Sequence, residues 1–176
     1  MADSRRVRLT KKMLKDAMVE LLDSRPLEKI TVTDLCTLAD VNRSTFYAYY
    51  EEIGQLLREI EDDALAPPAA PEPYSDDRFL ATLEEFFDYV QRNERLFRVL
   101  LIQREDSSFN QRLLDFALAR YQKTSLTENA LMDRYTYSFC INGVIGMVKE
   151  WITGHFPMSS REFAALVLHM CTNAMP

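Results

Sequence analysis

The run Asn42-Arg43-Ser44-Thr45, followed by Phe46-Tyr47 and Tyr49-Tyr50, is the segment whose residue types suggest a chemistry. Arginine can donate two hydrogen bonds in a fixed fork to guanine N7 and O6. Threonine can touch a thymine methyl or a phosphate, and tyrosine can reach a phosphate oxygen. As the outward face of a short helix, Asn42, Arg43, Ser44, Thr45 and Tyr47 form a hydrogen-bonding set rather than the Glu/Lys mixture of a generic solvated face. Arg43 is the candidate for reading a base edge, and Tyr49 stands between contact and packing. Thr33, near the start of the preceding segment, marks free backbone N–H groups that suit a phosphate. A merely solvated face is the bland alternative, which periodicity by itself does not remove.

Other chemistries find less support. His155 and His169 are the only histidines, and neither has a cysteine or carboxylate at ligand spacing. Cys36, Cys140 and Cys171 are odd in number, far apart along the chain and set in apolar surroundings. They read as buried thiols of a reducing compartment rather than as bridges, a metal site or an exposed redox switch. No nucleophile with a base, and no phosphate loop, stands out, so no enzyme, metal or cofactor is expected. The first residues lack an apolar signal core, and no run approaches a membrane span, so a cytoplasmic location is expected.

A reading face needs a scaffold, and the composition points to an all-helical one. The only glycines are Gly54, Gly143, Gly146 and Gly154, and long stretches carry apolar residues at helical spacing. The spacing predicts a helix from a Thr10 cap to about Asp23, burying Leu14, Ala17, Met18, Leu21 and Leu22. Arg5, Arg6 and Arg8 would lie ahead of it in a basic arm too polar to fold alone. Pro26 ends this helix. A threonine at 31–33 caps a second, whose Leu35, Leu38 and Ala39 share a face, and Asp40-Val41-Asn42 is the turn, with Asp40 in a left-handed conformation. A third helix runs from Asn42 or Arg43 to Tyr49 with Phe46 and Tyr50 inward, and a fourth carries Ile53, Leu56, Leu57, Ile60 and Ala64. Residues 1–64 thus form one domain. Residues 65–77, with four of the seven prolines, form a stiff linker. Residues 78–176 form a second domain, with helices near 78–91, 94–102, 109–123, 127–153 and 160–174.

The net charge of −6 seems to argue against nucleic acid, but it is unevenly spread. Residues 1–50 hold nine Lys/Arg against seven Asp/Glu, a net of +2. Residues 51–176 hold twelve against twenty, a net of −8. Only the front end suits a DNA partner.

With these residues in place, the chain resembles the TetR family of bacterial transcriptional regulators. The resemblance covers 10–60 and rests on Ile30-Thr31-Val32, the turn Ala39-Asp40-Val41, the polar run Asn42–Thr45, Phe46-Tyr47 and Tyr49-Tyr50. Further along, Gly143-x-x-Gly146, Trp151-Ile152-x-Gly154 and Ser159/Ser160 ahead of Glu162 look like one C-terminal branch of that family. The resemblance implies an all-α protein of about nine helices whose front helix-turn-helix binds DNA and whose last two long helices make a homodimer. It also implies repression from a palindromic operator and a response to a small-molecule or protein effector. The dimerisation candidates are Gly143, Gly146, Met147, Leu166, Val167 and Met170, with packing inside the subunit as the alternative. The aromatic and methionine residues Phe86, Phe87, Phe97, Phe116, Met132, Tyr135, Phe139, Met147 and Trp151 are either ordinary core or partly the lining of an effector pocket.

Two positions depart from the family pattern. Asp40 replaces a turn glycine, and Ile53 stands where many members carry a lysine that holds a phosphate. The arginines at 5, 6 and 8 and Lys29 would compensate, Arg5 or Arg6 by entering a minor groove. The rival reading is a helical protein-interaction module of the same fold that has lost or weakened DNA binding.

Overall fold

Proline sets the first boundary. Helix α1 spans Ala2–Ser24 and stops where Pro26 removes an N–H donor; a 3-10 turn at Leu27–Lys29 then leads into α2, Val32–Leu38. Helix α3, Arg43–Tyr47, and α4, Ile53–Ala64, complete the first of two units, 1–66. The computed structural model describes residues 2–66, 76–104, 108–121 and 129–174. The linker expected at 65–77 falls mainly on residues outside that description, although Leu65 caps α4 and α5 has already begun at Asp76.

The basic arm is corrected by this geometry. Arg5, Arg6 and Arg8 lie within α1, exposed, and Thr10 is an interior helical residue rather than a cap. Arginine is a good helix former, and no glycine or proline interrupts the chain before Pro26. The predicted stripe of α1 is buried as expected: Leu14, Ala17, Met18, Leu21 and Leu22 pack against α2 and α4. Leu35, Phe46, Tyr50, Leu56, Leu57 and Ile60 fill the other side of this core. Each fully buried leucine or methionine here contributes about 1.5–3 kcal/mol relative to exposure. Leu38, expected inward, is the last residue of α2 and is 43% exposed, while Leu35 and Ala39 on either side of it are buried.

The second unit, 67–176, holds α5 (Asp76–Arg92), α6 (Glu94–Arg98), α7 (Ser108–Tyr121), α8 (Ala130–Thr153) and α9 (Ser160–Ala174). Helix α6 widens into a π-helical segment, Val99–Gln103, closed by Arg104 N–H donating to the Val99 carbonyl. The expected ends of α7 at 123 and start of α8 at 127 lie outside the described residues; Asn129, whose side chain accepts from the Leu131 and Met132 N–H groups, caps α8. Helices α5 and α9 pack along each other, and α8 lies against both α7 and α9. Their meeting point is aromatic. Trp151 stacks on Phe163 at 4.5 Å, Phe87 meets Phe163 edge-on at 4.7 Å, and Phe156 closes on Trp151 at 4.7 Å. The Trp151 indole N–H donates to the Met158 carbonyl at 3.0 Å, which satisfies its one polar group.

Candidate nucleic-acid interface

Helix α2 begins with a reciprocal cap. The Thr31 hydroxyl oxygen accepts from Asp34 N–H at 3.1 Å, and the Asp34 carboxylate accepts from Thr31 N–H at 3.1 Å. The Thr31 hydroxyl, donating to the carboxylate at 2.7 Å, and then the Thr31 N–H, with Arg25 3.5 Å away, hold the Asp34 carboxyl below its ordinary value. Thr31 is therefore the cap and Thr33 lies exposed inside the helix, its carbonyl accepting from the Thr37 hydroxyl. The helix ends on two crossed bonds: Asp40 N–H reaches the Thr37 carbonyl at 3.4 Å and Val41 N–H the Cys36 carbonyl at 3.0 Å. That closure places Asp40 at φ 52°, the left-handed conformation its type tolerates.

The turn leads directly into α3. Asn42 occupies its N-cap position, yet its side chain makes no capping bond and remains available to a partner. Behind α3, Phe46 is fully buried and touches the Tyr50 ring at 5.7 Å centroid to centroid. In front, Asn42, Arg43 and Ser44 are exposed and Tyr47 is 52% exposed, with its ring edge-on to Phe46. Thr45 and Tyr49 are half-buried. The Arg43 guanidinium makes no ion pair among the described residues. Packing of α2 on α3 groups the polar face of α3 with the short helix that carries Thr33; Arg5 and Arg6 lie exposed on a different helix, α1.

The dimerisation candidates divide. Gly143 and Gly146 are exposed on α8, and a Cβ added at either would meet nothing within 4 Å. Met170 is exposed on α9, and Met147 and Leu166 are half-buried. Val167 is corrected: at 2% exposure it belongs to the core of its own unit, where α9 packs on α5. Met132, Tyr135 and Phe139, weighed as core or pocket, face outward, Phe139 at 71% exposure; Phe87, Phe97 and Trp151 are buried, Phe87 edge-on to Trp151 and Phe97 edge-on to Phe86. The thiols of Cys140 and Cys171, distant in the sequence, are neighbours; burial and then Cys140 push the Cys171 thiol up to about 11.

One cluster escaped the sequence reading. From α1, Lys11 reaches Glu59 Oε2 at 2.9 Å, while Lys15 reaches Glu59 Oε1 at 2.7 Å and Asp63 at 2.6 Å. Burial raises the Glu59 carboxyl, and the two ammonium groups outweigh it, leaving the group below its ordinary value. The same contest leaves Lys15 above its own, burial lowering it and the bonds to Asp63 and Glu59 raising it further. The Lys11 ammonium also sits 5.1 Å from the centre of the Tyr50 ring. Lysines four apart on one helix and acids four apart on another were the available signal.

A family model described as "Transcriptional regulator C-terminal region", TetR_C_8, matches residues 77–173, more than half of the chain. No curated protein matches the chain. Among solved structures, a TetR transcriptional regulator from Streptococcus agalactiae 2603V is similar at TM-score 0.72 and 24% identity, covering 97% of this chain and 98% of that one. A TetR-like regulator from Rhodococcus sp. RHA1 is similar at TM-score 0.65 and 17% identity, over 93% of this chain and 94% of its own. The dihydroxyacetone kinase operon activator DhaS follows at TM-score 0.62 and 19% identity, over 94% and 96%. Among the described residues, no helix is long and apolar enough to cross a membrane. With a helix-turn-helix at the front and that C-terminal region behind it, the chain belongs to the TetR family of transcriptional regulators.

Proposed function

We propose that this chain is a homodimeric repressor that reads a palindromic operator with α3. The observation that carries the reading is the orientation of α3: Arg43 projects into solvent unpaired while Phe46, three residues on, is fully buried. A five-residue helix anchored from behind can enter a major groove, where Arg43 donates its fork to a guanine. Asn42, Ser44 and Tyr47 reach flanking base edges and phosphates, and Thr33, with the half-buried Thr45 and Tyr49, lines the margin of the contact. Arg5 and Arg6 add positive charge from the start of α1 rather than from an extended arm.

The dimer reading is supported by an apolar stripe on one face of α8. Met132, Tyr135 and Phe139 are exposed there, and Gly143 and Gly146 continue the same face without side chains to hold a partner helix away. Leu166, Met147 and Met170 extend it, so that two helices from each subunit make a four-helix seam. Twofold symmetry would then present two copies of α3 about 34–36 Å apart, one turn of B-DNA. An effector, small molecule or protein, acts by favouring a different separation.

Selection of genomic fragments, followed by mobility shifts in a salt titration, tests the reading. A symmetric footprint is expected, with affinity falling steeply as salt rises. Arg43→Ala should weaken the selected site by about ten- to a hundredfold, corresponding to the loss of one bidentate base contact. Salt-independent binding, no binding, or an Arg43→Ala variant that binds as the parent does would favour the protein-interaction module instead.

A further inference from the structure

We propose that Glu59 is a positioning residue for the recognition helix, acting through Tyr50. The inference deepens the DNA-reading function, on which only its operator readout rests. Helix α3 has five residues, too few to hold its own orientation, so its aim depends on what it packs against. Phe46 fixes its depth through apolar contact. Tyr50, three residues past the end of α3, brings a polar group into the core: its hydroxyl is buried without a hydrogen-bond partner.

Glu59 is tied to that side chain through Lys11, and, after burial itself, its charge is the main influence holding the phenol above its ordinary value. Both Glu59 oxygens are engaged by different lysines of one helix, Oε1 by Lys15 and Oε2 by Lys11, which pins the carboxylate plane as well as its position. Lys11 is shared, pairing with Glu59 while lying over the Tyr50 ring. One cluster therefore joins α1, α4 and the end of α3. A change at Glu59 is felt where α3 is anchored, although Glu59 touches no part of the reading face. The pair Lys12–Asp16 offers a contrast: it is a single-helix contact with both side chains exposed.

The full-length chain is compared with Glu59→Gln, Glu59→Asp, Tyr50→Phe and the control Lys12→Met. The first readout is amide hydrogen exchange at Phe46 and Tyr50, whose N–H groups donate to the Asn42 and Phe46 carbonyls. Glu59→Gln should accelerate these amides about tenfold more than the interior amides of α1, with Glu59→Asp restoring part of the protection and Lys12→Met changing nothing. The second readout is affinity for the selected operator against an unrelated duplex. Glu59→Gln should lower the first by about tenfold and leave the second unchanged, since it removes no phosphate contact. On the Tyr50→Phe background, which removes the hydroxyl and keeps the ring under Lys11, the Glu59→Gln effect on exchange should be clearly smaller than in the parent chain.

Exchange that accelerates evenly across α1, α3 and α4 would overturn the proposal, leaving Glu59 a general stabiliser. Additive effects in the double variant would also overturn it. Local acceleration together with equal binding of both duplexes by the parent chain would sink the DNA-reading function and leave the positioning role standing.

Discussion

Two corners of this molecule are built from the same backbone devices and serve different ends. At 31–50 and again at 151–163, a helix closes on crossed hydrogen bonds with non-glycine backbone in the left-handed region, Asp40 alone in one, at φ 52°, and His155 followed by Phe156 in the other, at φ 55° and 57°. In both, a hydroxyl residue and an acid three positions on make a reciprocal cap: Thr31 with Asp34, and Ser159 with Glu162, where Ser159 N–H donates to the carboxylate at 2.9 Å. The difference lies in what faces away from the turn. The second corner folds its large rings onto each other, with Trp151, Phe156 and Phe163 in contact. The first buries Phe46 and Tyr50 but leaves Asn42, Arg43, Ser44 and Tyr47 outside. Local hydrogen bonding makes a corner, and the side chains on its outer face decide whether that corner holds the fold together or meets a partner.

The largest effects should come from the buried rings, where the two corners are alike. Phe46→Ala and Trp151→Ala each remove a ring with 2% exposure or less and should cost about 3–5 kcal/mol, read as an earlier midpoint in urea by far-ultraviolet circular dichroism. A small effect at Phe46 alone would mean that α3 is not anchored by it.

Smaller losses, again matched, are expected at the caps. Thr31→Ala and Ser159→Ala should each cost about 0.5–2 kcal/mol near neutral pH. The carboxyls of Asp34 and Glu162 are held below their ordinary values of 3.8 and 4.5 by bonds from Thr31 and Ser159. Their contribution is thus complete above those values and lost as pH falls through the lowered ones. The penalty of each alanine should shrink in acid, and carbon-detected titration of the two carboxyls should show both midpoints moving up toward the ordinary values in the variants. Unmoved midpoints would mean that the caps are not formed in solution.

The smallest effects should be gains. Glycine at the left-handed position relieves the crowding of a Cβ, so Asp40→Gly and His155→Gly should each stabilise by about 0.5–1 kcal/mol in thermal melts, less the entropy that glycine adds to the unfolded chain. Equal gains at both corners would support a shared closure; a loss at Asp40 would show that its carboxylate has a role in the turn that His155 lacks.

Much of this was legible in the residues. The buried stripe of α1, its end before Pro26, the left-handed Asp40 and the inward Phe46 and Tyr50 follow from spacing, caps and breakers, which act within a few residues of chain. The arginines at 5–8 were misread because polarity argues against burial, and a helix can extend past its buried stripe without any. Leu38 and Val167 were misread because a helix end and a helix face are covered only by what other segments bring to them.

What the amino-acid order determined alone is local: where a proline stops a helix, which turn needs a tolerant residue, and which short run carries unspent hydrogen-bonding groups. Tertiary structure decided the rest: that Lys11 and Lys15 meet Glu59 and Asp63 forty-eight positions away, that the Cys140 and Cys171 thiols adjoin, and that Phe139 faces outward while Val167 does not. The physical reason is range. Backbone hydrogen bonding and capping act within a turn or two of helix, whereas burial and charge pairing depend on distances that only the packed chain defines.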